Sequence, residues 1–562
     1  MDDSASGSVV FPADGLSTSV AFDVLDVPYS EETEALKQAK LATAFEPATR
    51  AVAAIEPTTK RELLAWWLYY FAYEPVSVVV MALLIPLLLQ ELALKAGHVR
   101  DDPSLSCSAT DAANCVVFSF FKGQWSVTPS SFAYYVISVS VAAQAITFIS
   151  VGALADYGRL RKLLLGGCTI LGVACLFGVL GVRNEGWLGL AGTLTVLLSM
   201  FYGTASVFYN AYLPLLVQSH PKYTALLSRD ENEKDGNANS SINANVNADV
   251  DADVDANVEA TIKHEAWQKK VARKKEKLSS FISTVGMAAG YSAGVIMICV
   301  TIAYFALFGS EGMALQVCIA ACGLWWLAWS IFPLIALKFR PGPPLPKGTN
   351  YFSFSWGKLT RSVRRARQLP TTFSFLLGYF FFSDGYNTMG SAAILIAKQS
   401  LNVGLTELTV CALIAPICAL VGAFACFFVQ RLLKASNKTM LLGILCILGS
   451  IPLYCALGLI PGSPVGLKHQ WEIYLLTSVY GFFIGAVQSF ARCLFADLIP
   501  VGEEAEFFSL YAVTDKGCAF VGPMVVALVT DWTRETRFGL LFLAGLILLP
   551  VPFIWRFVVE KH

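Results

Sequence analysis

Long apolar runs constrain the fold of this chain more than any other feature of its sequence. They recur at about 20 residues with few charges, and a helix of that length crosses a hydrocarbon core about 30 Å thick. Read in order, the runs predict twelve transmembrane helices near 63–90, 131–154, 163–182, 187–217, 279–308, 312–337, 372–397, 405–428, 439–459, 471–496, 506–530 and 537–557. Only 15% of the residues are charged, which excludes an ordinary soluble domain. The predicted fold class is an all-α integral membrane protein.

The polar segments between the runs divide the chain into two sets of six helices. The predicted organisation is an N-terminal cytoplasmic tail over 1–60, helices one to four over 61–220, a cytoplasmic loop over 221–278, helices five and six over 279–337, a cytoplasmic linker over 338–371, and helices seven to twelve over 372–562. The linker is rich in Pro, Gly and Arg, as expected for a hinge between two halves.

The loop over 221–278 has two parts of different character. The tract from Arg229 to Ala260 is rich in Asn, Asp, Ala and Val. It has no capacity to bury a core and is predicted to be disordered. The stretch over 263–277 is basic and is predicted to be helical. It is a candidate for contact with anionic lipid, and a solvated face is the alternative.

The distribution of Lys and Arg predicts the orientation in the membrane. These residues crowd the segment before the first helix and the segments after helices two, four, six and eight, whereas the alternate loops carry few. Because Lys and Arg are retained on the cytoplasmic side, we expect both termini in the cytoplasm. On the far side, Cys107 and Cys115 share one long polar loop. They could form a disulfide in an oxidising compartment, which their spacing alone does not decide.

An acid lies inside each of two matching apolar runs. Glu74 follows an aromatic segment and precedes Pro75, and Asp384 follows a similar segment and precedes Gly385. An ionisable group near the middle of the bilayer costs about 3 kcal/mol or more on insertion scales, so it normally faces a bundle interior or a water-filled cavity. We therefore expect both carboxylates to line a cavity. The alternative is a protonated or hydrogen-bonded packing role.

The fourth and tenth predicted helices carry an amide at matching positions. Asn210 lies eight residues after Tyr202 of a Tyr-Gly pair, and Gln488 lies eight residues after Tyr480 of another. This correspondence extends the repeat between the two sets of six helices.

Two parallel six-helix repeats, with polar positions in helices one, four, seven and ten, resemble the major facilitator architecture, in which the substrate binds at the midplane between the halves. The segment over 152–162 is similar to that superfamily's motif of glycine, aspartate, glycine and a basic cluster, although it is one residue shorter and lacks the usual cation after the acid. The resemblance implies that Asp156 with Arg159, Arg161 and Lys162 locks two helix ends together and releases them when the halves rock. The alternative is an ordinary capped turn.

Several stretches resemble the autophagy-related protein 22 family of fungi more specifically. They are ELLAWWLY at 62–69, SVSVAAQ at 138–144, FYNAYLP at 208–214, YFFFSDGYN at 379–387, and the region from QSFAR at 488–492 to EEAEFFSLYAVTDKG at 503–517. The resemblance covers nearly the whole chain from residue 60. It implies a vacuolar membrane permease that works by alternating access. Its implied role is to export amino acids such as leucine, isoleucine and tyrosine after autophagic degradation.

A zwitterionic amino acid needs a partner for each charged end and an apolar slot for its side chain. For such a substrate, Glu74 and Asp384 are candidates for ammonium binding or proton coupling, and Asn210 and Gln488 are candidates for hydrogen bonding. The aromatic residues proposed to line the slot are Tyr69, Tyr73, Tyr209, Tyr379 and Tyr386.

Three further charged positions lie in the last helices. Arg492 is the strongest cationic candidate for a substrate carboxylate, but Asp497 lies five residues later, and an ion pair between these two is the preferred interpretation. The neighbours Asp515 and Lys516 point in different directions on a helix. We therefore expect them to contact different helices.

Other function classes find little support in the sequence. It contains no metal-ligand spacing, no phosphate-binding glycine loop and no nucleophile beside a base, so we predict neither a cofactor nor a metal nor enzymatic activity. The formal net charge of zero provides no basic field for nucleic acid. The expected partners are amino acids and the lipid bilayer. A transporter of another small solute, such as a sugar or peptide, and a non-transporting membrane sensor or scaffold remain open as alternatives.

Overall fold

The computed structural model describes residues 56–99, 107, 115–120, 125–127, 129–228, 250–309, 313–342, 351–364, 369–401, 405–500, 503–518, 521–533 and 537–558. Every described residue lies in one compact unit, Glu56–His562. Most of the described residues are helical. A helix suits a membrane-spanning chain because it satisfies its backbone hydrogen bonds internally.

The first membrane helix changes geometry at a proline. It consists of α1 (Lys60–Pro75), a π-helical segment (Val76–Leu84) and α2 (Ile85–Ala96). The Thr59 side chain caps its start by accepting a hydrogen bond from the Glu62 N–H at 3.2 Å. The wider π-helical turns follow directly after Pro75, whose missing N–H interrupts the α-helical ladder.

The other helices up to residue 336 form the N-terminal set (residues 56–342) together with the first membrane helix. They are α3 (Pro129–Gly152) with a short 3-10 turn (Ala153–Asp156), α4 (Leu160–Gly178), α5 (Leu188–Gln218), α6 (Val250–Phe308) and α7 (Met313–Ala336). The helix α6 has 59 residues. It begins inside the tract for which we expected disorder and continues through the basic stretch over 263–277.

An amphipathic helix, α8 (Tyr351–Arg364), precedes the C-terminal set (residues 369–558). The helices of that set are α9 (Pro370–Leu401), α10 (Leu405–Leu433), α11 (Asn437–Ala456), α12 (Gln470–Leu498), α13 (Glu504–Cys518), α14 (Val521–Thr533), α15 (Arg537–Leu548) and α16 (Pro550–Phe557). The predicted eleventh span corresponds to the two shorter helices α13 and α14. The twelfth corresponds to α15 and α16, which meet at Pro550.

Ten helical segments among the described residues are long and apolar enough to cross a membrane. They are Lys60–Ala96, Tyr135–Asp156, Leu160–Gly181, Leu188–Gln218, Lys270–Phe308, Met313–Ala336, Val410–Leu433, Asn437–Leu459, Gln470–Leu498 and Arg537–Phe557. These segments match ten of the twelve predicted spans in order. The predicted seventh and eleventh spans are present as α9 and as α13 with α14, and the count of twelve crossings stays a prediction.

The long loop between α2 and α3 carries the only strands among the described residues. Strand β1 (His98–Val99) pairs with β2 (Cys115–Val116), and β3 (Phe118–Phe120) pairs with β4 (Trp125–Val127), both in antiparallel register. Cys107 in this loop is disulfide-bonded. The side chain of Cys115 lies outside the described residues.

Candidate functional site

Glu74 lies near the end of α1, just before the helix changes to π geometry. Its side chain is buried, and two glycines of α6 face this part of α1. A methyl group added at Gly290 would lie 2.2 Å from Tyr70 Cδ1, and one added at Gly286 would lie 2.7 Å from Trp66 Cζ3. Small residues let the two helix backbones approach closely. This packing fixes the aromatic face of α1 on which Glu74 lies.

Aromatic side chains from α1 and α5 form a cage beside Glu74. We call the following residues the tyrosine cage: Trp66, Tyr69, Tyr70, Tyr73, Tyr202 and Tyr209. Tyr209 stacks on Trp66 with ring centroids 4.5 Å apart, and Tyr73 lies 5.1 Å from both Tyr70 and Tyr202. The Tyr209 hydroxyl is buried and has no hydrogen-bond partner among the described residues.

Arg492 of α12 reaches the same cage from the C-terminal set. Its guanidinium carbon lies 5.4 Å from the centre of the Tyr70 ring and 5.8 Å from that of Trp66. Its Nη1 donates a hydrogen bond of 2.8 Å to Oδ1 of Asn210 on α5. The cage is therefore closed by a cation that bridges the two sets of helices, and aromatic faces stabilise such a cation when it is removed from water.

Tyr70 connects the two charges of the site. Its ring lies beneath the Arg492 guanidinium, and Glu74 follows it one helical turn later on α1. Arg492 therefore lies beside the turn of α1 that precedes Glu74.

Gln488 also lies where the two sets of helices meet. Its Oε1 accepts a hydrogen bond of 3.0 Å from the hydroxyl of Tyr291 on α6. The two amides that the sequence matched, Asn210 and Gln488, thus both lie at contacts between the sets. Asn210 contacts Arg492 directly, and Gln488 lies one helical turn away from Arg492 along α12.

Asp384 lies in a different environment from Glu74. Asp384 as a whole is 1% exposed, and its carboxylate accepts a hydrogen bond of 3.2 Å from Thr388 and faces Gly522, the second residue of α14. Its described contacts are therefore within the C-terminal set, and the structure does not bring it into the tyrosine cage. Tyr386, also buried on α9, accepts through its carbonyl oxygen a bond of 3.2 Å from the Tyr480 hydroxyl.

A third acid inside an apolar run, Asp515 of α13, lies in a polar cluster with two side chains of α9, and the sequence analysis did not place this acid in the site. Its Oδ1 accepts a hydrogen bond of 3.0 Å from Tyr379 and a shorter one from Ser383. Its Oδ2 lies 3.6 Å from Lys516 Nζ, so these neighbours contact each other, which corrects the expectation that they point apart. An acid inside an apolar run was the signal that identified Glu74, and the same signal marks Asp515.

The ends of α3 and α13 are joined on the side of the membrane where α1 begins. We call this side, which also carries Arg159 and Lys162, the basic side. Buried Asp156 accepts hydrogen bonds from the backbone N–H groups of Ala505 at 2.8 Å and Glu506 at 3.0 Å. A carboxylate at a helix N-terminus is stabilised by the unpaired N–H groups and the helix dipole. Asp156 thus caps α13 from the opposite set.

Arg161 completes this junction. Its Nη2 lies 2.7 Å from Asp156 Oδ1 and 3.5 Å from Glu504 Oε2, so one buried cation neutralises acids of both sets. The turn before it contains Gly158 at a φ of +51°, a conformation that glycine adopts at little cost.

Arg159 and Lys162 contact the end of α7 instead. Lys162 Nζ donates to the carbonyl oxygens of Ile335 at 3.2 Å and Leu337 at 2.5 Å, and both cations lie over the ring of Phe339. A cation at a helix C-terminus compensates the unpaired carbonyls. Of the four predicted gating residues, Asp156 and Arg161 lie at the junction of the two sets, and Arg159 and Lys162 support it from within the N-terminal set.

The amphipathic helix α8 lies against the same junction. Lys358 Nζ is 2.7 Å from Glu506 Oε2, and Trp356 Nε1 donates a bond of 3.2 Å to Ser150 Oγ at the end of α3. Burial acts to lower the pKa of Lys358, but the Glu506 carboxylate more than offsets this, so the pKa stands above its ordinary value. Lys358 therefore stays protonated at physiological pH.

The expected ion pair between Arg492 and Asp497 is wrong. Asp497 Oδ1 instead lies 3.1 Å from Lys275 Nζ of α6, while Arg492 points into the tyrosine cage. The reason is geometric, since five residues along an α-helix correspond to about 500° and place the two side chains on different faces. Near Lys275, Ser280 Oγ also donates a bond of 2.7 Å to Gln430, which adds to the closure of the basic side.

Within the described ranges, no group of three or more His, Cys, Asp or Glu side chains is arranged to hold a metal ion. The site described above consists of one carboxylate, one guanidinium, amides and aromatic rings. It is suited to binding a polar solute reversibly.

Solved structures establish the fold. The crystal structure of the human organic anion transporter MFSD10 (TETRAN) matches with a TM-score of 0.56 at 14% identity, covering 88% of this chain and 99% of that one. The major facilitator superfamily proton:xylose symporter XylE matches with a TM-score of 0.54 at 10% identity, covering 89% and 96%. These likenesses show the major facilitator fold.

Related sequences establish the family. The family model described as vacuole effluxer Atg22 like matches residues 58–562. Autophagy-related protein 22 of Gibberella zeae is 31% identical over 90% of this chain and 80% of its own length, and autophagy-related protein 22-1 of Aspergillus niger is 31% identical over 90% and 89%. The chain therefore belongs to the vacuole effluxer Atg22-like family.

Proposed function

We propose that this protein is a vacuolar membrane permease that exports amino acids released by autophagic degradation, such as leucine, isoleucine and tyrosine, to the cytosol by alternating access. The observation that carries the proposal is Glu74, a buried carboxylate within the tyrosine cage, where helices of both sets meet. A buried acid among rings provides a partner for an ammonium group and apolar faces for a side chain. The family and the fold both support a membrane transporter.

The roles that we propose for the candidate residues follow from their positions. Glu74 binds the substrate ammonium, Tyr73 and Tyr209 line the slot for the side chain, and Asn210 and Gln488 supply hydrogen bonds. Asp384, which lies on α9 and faces the start of α14, is the candidate for proton coupling. Tyr386 follows it on α9 and positions Tyr480.

The proposed transport cycle uses twelve helices in two pseudo-symmetric halves that rock about the central site. The proposed orientation places the basic side and both termini in the cytoplasm, in agreement with the positive-inside rule. In that orientation the junction of Asp156 and Arg161 with α13 closes the cytoplasmic side, so the described conformation is the one that faces the vacuolar lumen. Breaking that junction would open the site to the cytosol.

The basic stretch over 263–277 is proposed to contact anionic lipid of the cytoplasmic leaflet. Lys270, Arg273, Lys274 and Lys277 on α6 are exposed, whereas Lys275 pairs with Asp497. Each exposed base near such a surface contributes about 1 kcal/mol of attraction.

Efflux from preloaded proteoliposomes tests the function. The purified full-length chain is expected to release labelled leucine, isoleucine and tyrosine faster than protein-free liposomes, and unlabelled amino acid should compete. A pH gradient that changes the rate in the parent but not in Asp384→Asn would support proton coupling. If none of the three amino acids is released above the protein-free control, the proposed function is wrong.

A further inference from the structure

We propose that Arg492 binds the carboxylate of the transported molecule, so that the site selects solutes that carry a free α-carboxylate beside their ammonium group. This inference rests on the proposed function and specifies its substrate class. It assigns a binding role to a residue whose sequence context favoured a structural ion pair.

The hydrogen-bond inventory of Arg492 is the first argument. The side chain is 5% exposed, and only its Nη1 is engaged, by Asn210. Its Nε and Nη2 are buried and have no partner among the described residues. These two nitrogens share one edge of the planar guanidinium, and their parallel N–H bonds match the two oxygens of a carboxylate. The free edge is therefore the edge suited to bidentate binding.

The charge balance around Arg492 is the second argument. Among the described carboxylates near it, Asp497 pairs with Lys275, and Asp515 is engaged by Tyr379, Ser383 and Lys516. Glu74 lies one helical turn beyond Tyr70, over whose ring Arg492 lies, and among the described residues no ion pair joins the two. A buried guanidinium without a directly bound anion is costly. A substrate carboxylate would remove that cost upon binding.

The position of Glu74 sets the chemistry of the rest of the ligand. In an α-amino acid a single carbon separates the ammonium from the carboxylate, so such a ligand needs an acid and a base in one site, as Glu74 on α1 and Arg492 on α12 provide. The ring faces of Tyr73 and Tyr209 provide apolar surface for the ligand's side chain. The unpartnered Tyr209 hydroxyl offers a further hydrogen bond.

A purely structural role for Arg492, as a bridge between α5 and α12, predicts a different result. Such a bridge would affect all substrates equally, whereas a carboxylate partner affects only ligands that carry the carboxylate. Leucine, leucinamide and 4-methylpentanoate separate these cases. Leucinamide keeps the ammonium but has no carboxylate, and 4-methylpentanoate keeps the carboxylate but has no ammonium.

The test measures competition by each of the three compounds against labelled leucine in proteoliposomes that contain the full-length chain. Wild type should prefer leucine over leucinamide by about tenfold or more, since a lost charge-assisted pair is worth at least that factor. Arg492→Gln should abolish this preference, and Arg492→Lys should retain part of it. Arg431→Gln serves as the matched control, because Arg431 also lies over an aromatic ring, that of Phe427, but is exposed and outside the cage.

The outcomes distinguish the two proposals. If leucine and leucinamide compete equally in the wild type, Arg492 does not bind the substrate carboxylate, and no variant is needed to show it. Leucine transport in the same experiment would still uphold the proposed function. An unchanged preference in Arg492→Gln or Arg492→Lys overturns it as well. If the wild type transports none of the amino acids, the proposed function is wrong and this inference is wrong with it.

Discussion

Glu74 and Arg492 are the two charged side chains on which the proposed site depends, and the sequence predicted them unequally. Glu74 was predictable because an acid inside an apolar run is expensive and has few structural explanations. Arg492 was named as a candidate for a substrate carboxylate, but the acid nearest to it in the sequence favoured a local ion pair instead. The true partner of that acid, Lys275, is more than 200 residues away in the chain, and only the packing of α6 against α12 brings them together.

Gly290 provides a test of the packing that fixes the cage. Gly290→Ala should destabilise the protein by about 1–3 kcal/mol, because the added methyl group would lie 2.2 Å from the buried Tyr70 ring. Thermal unfolding of the purified protein in detergent measures the loss. Gly167→Ala on α4, where the methyl group meets no atom within 4 Å, should unfold at the parent temperature. Equal stability of the two variants would show that α6 is not closely packed against α1.

The helices themselves were largely predictable, but their interruptions were not. Hydropathy identifies apolar runs of sufficient length, and ten described segments match the predicted spans. It does not report backbone geometry, so it missed the π-helical segment Val76–Leu84 and the division into α13 and α14. The direction of Asp384 depends on that division, because its carboxylate faces the start of α14. The matching positions of the two acids along their apolar runs indicate a similar depth in the membrane. They do not show which neighbouring helix each acid faces.

The cap that Asp156 forms on the start of α13 can be tested by removing its charge. Asp156→Asn removes the charge that interacts with Arg161 and with the helix dipole. We expect leucine efflux to slow several-fold, while the amount of protein in the membrane stays near normal.

Purified Asp156→Asn in proteoliposomes gives the rate directly. Lys95→Gln, which removes an exposed charge at the other end of the first membrane helix, is the control and should transport like the parent. If Asp156→Asn exports leucine at the same rate as the parent, the junction acts only as a structural turn and not in gating.

At the scale of the whole molecule, the proposed orientation follows from the asymmetric distribution of basic residues. Most of the contacts that close the basic side involve charged or amide groups: Asp156 with Arg161, Lys275 with Asp497, Lys358 with Glu506, and Gln430 with Ser280. The sequence predicted which loops carry these charges, through the positive-inside rule. It could not predict how they pair, since three of the four pairs join segments that are far apart in the chain.

Glycosylation tests this orientation. The sequons at Asn239 and Asn437 lie on the proposed cytoplasmic side, so the parent protein should carry no N-linked glycan. Ser104→Asn creates a sequon in the long loop that is proposed to face the lumen, and it should add one glycan. Mass before and after glycosidase treatment reports both results. A glycosidase-sensitive shift in the parent would contradict the proposed orientation.

The most direct test of the central claim is leucine efflux from proteoliposomes containing Glu74→Gln, compared with Glu91→Gln. The two variants carry the same substitution on the same membrane helix, but Glu91 lies outside the cage, beside Lys95. If Glu74 binds the substrate ammonium, Glu74→Gln should lower the efflux rate by about tenfold or more, corresponding to about 1.4 kcal/mol, whereas Glu91→Gln should match the parent. Equal efflux from Glu74→Gln and the parent would contradict the claim that this carboxylate forms the transport site.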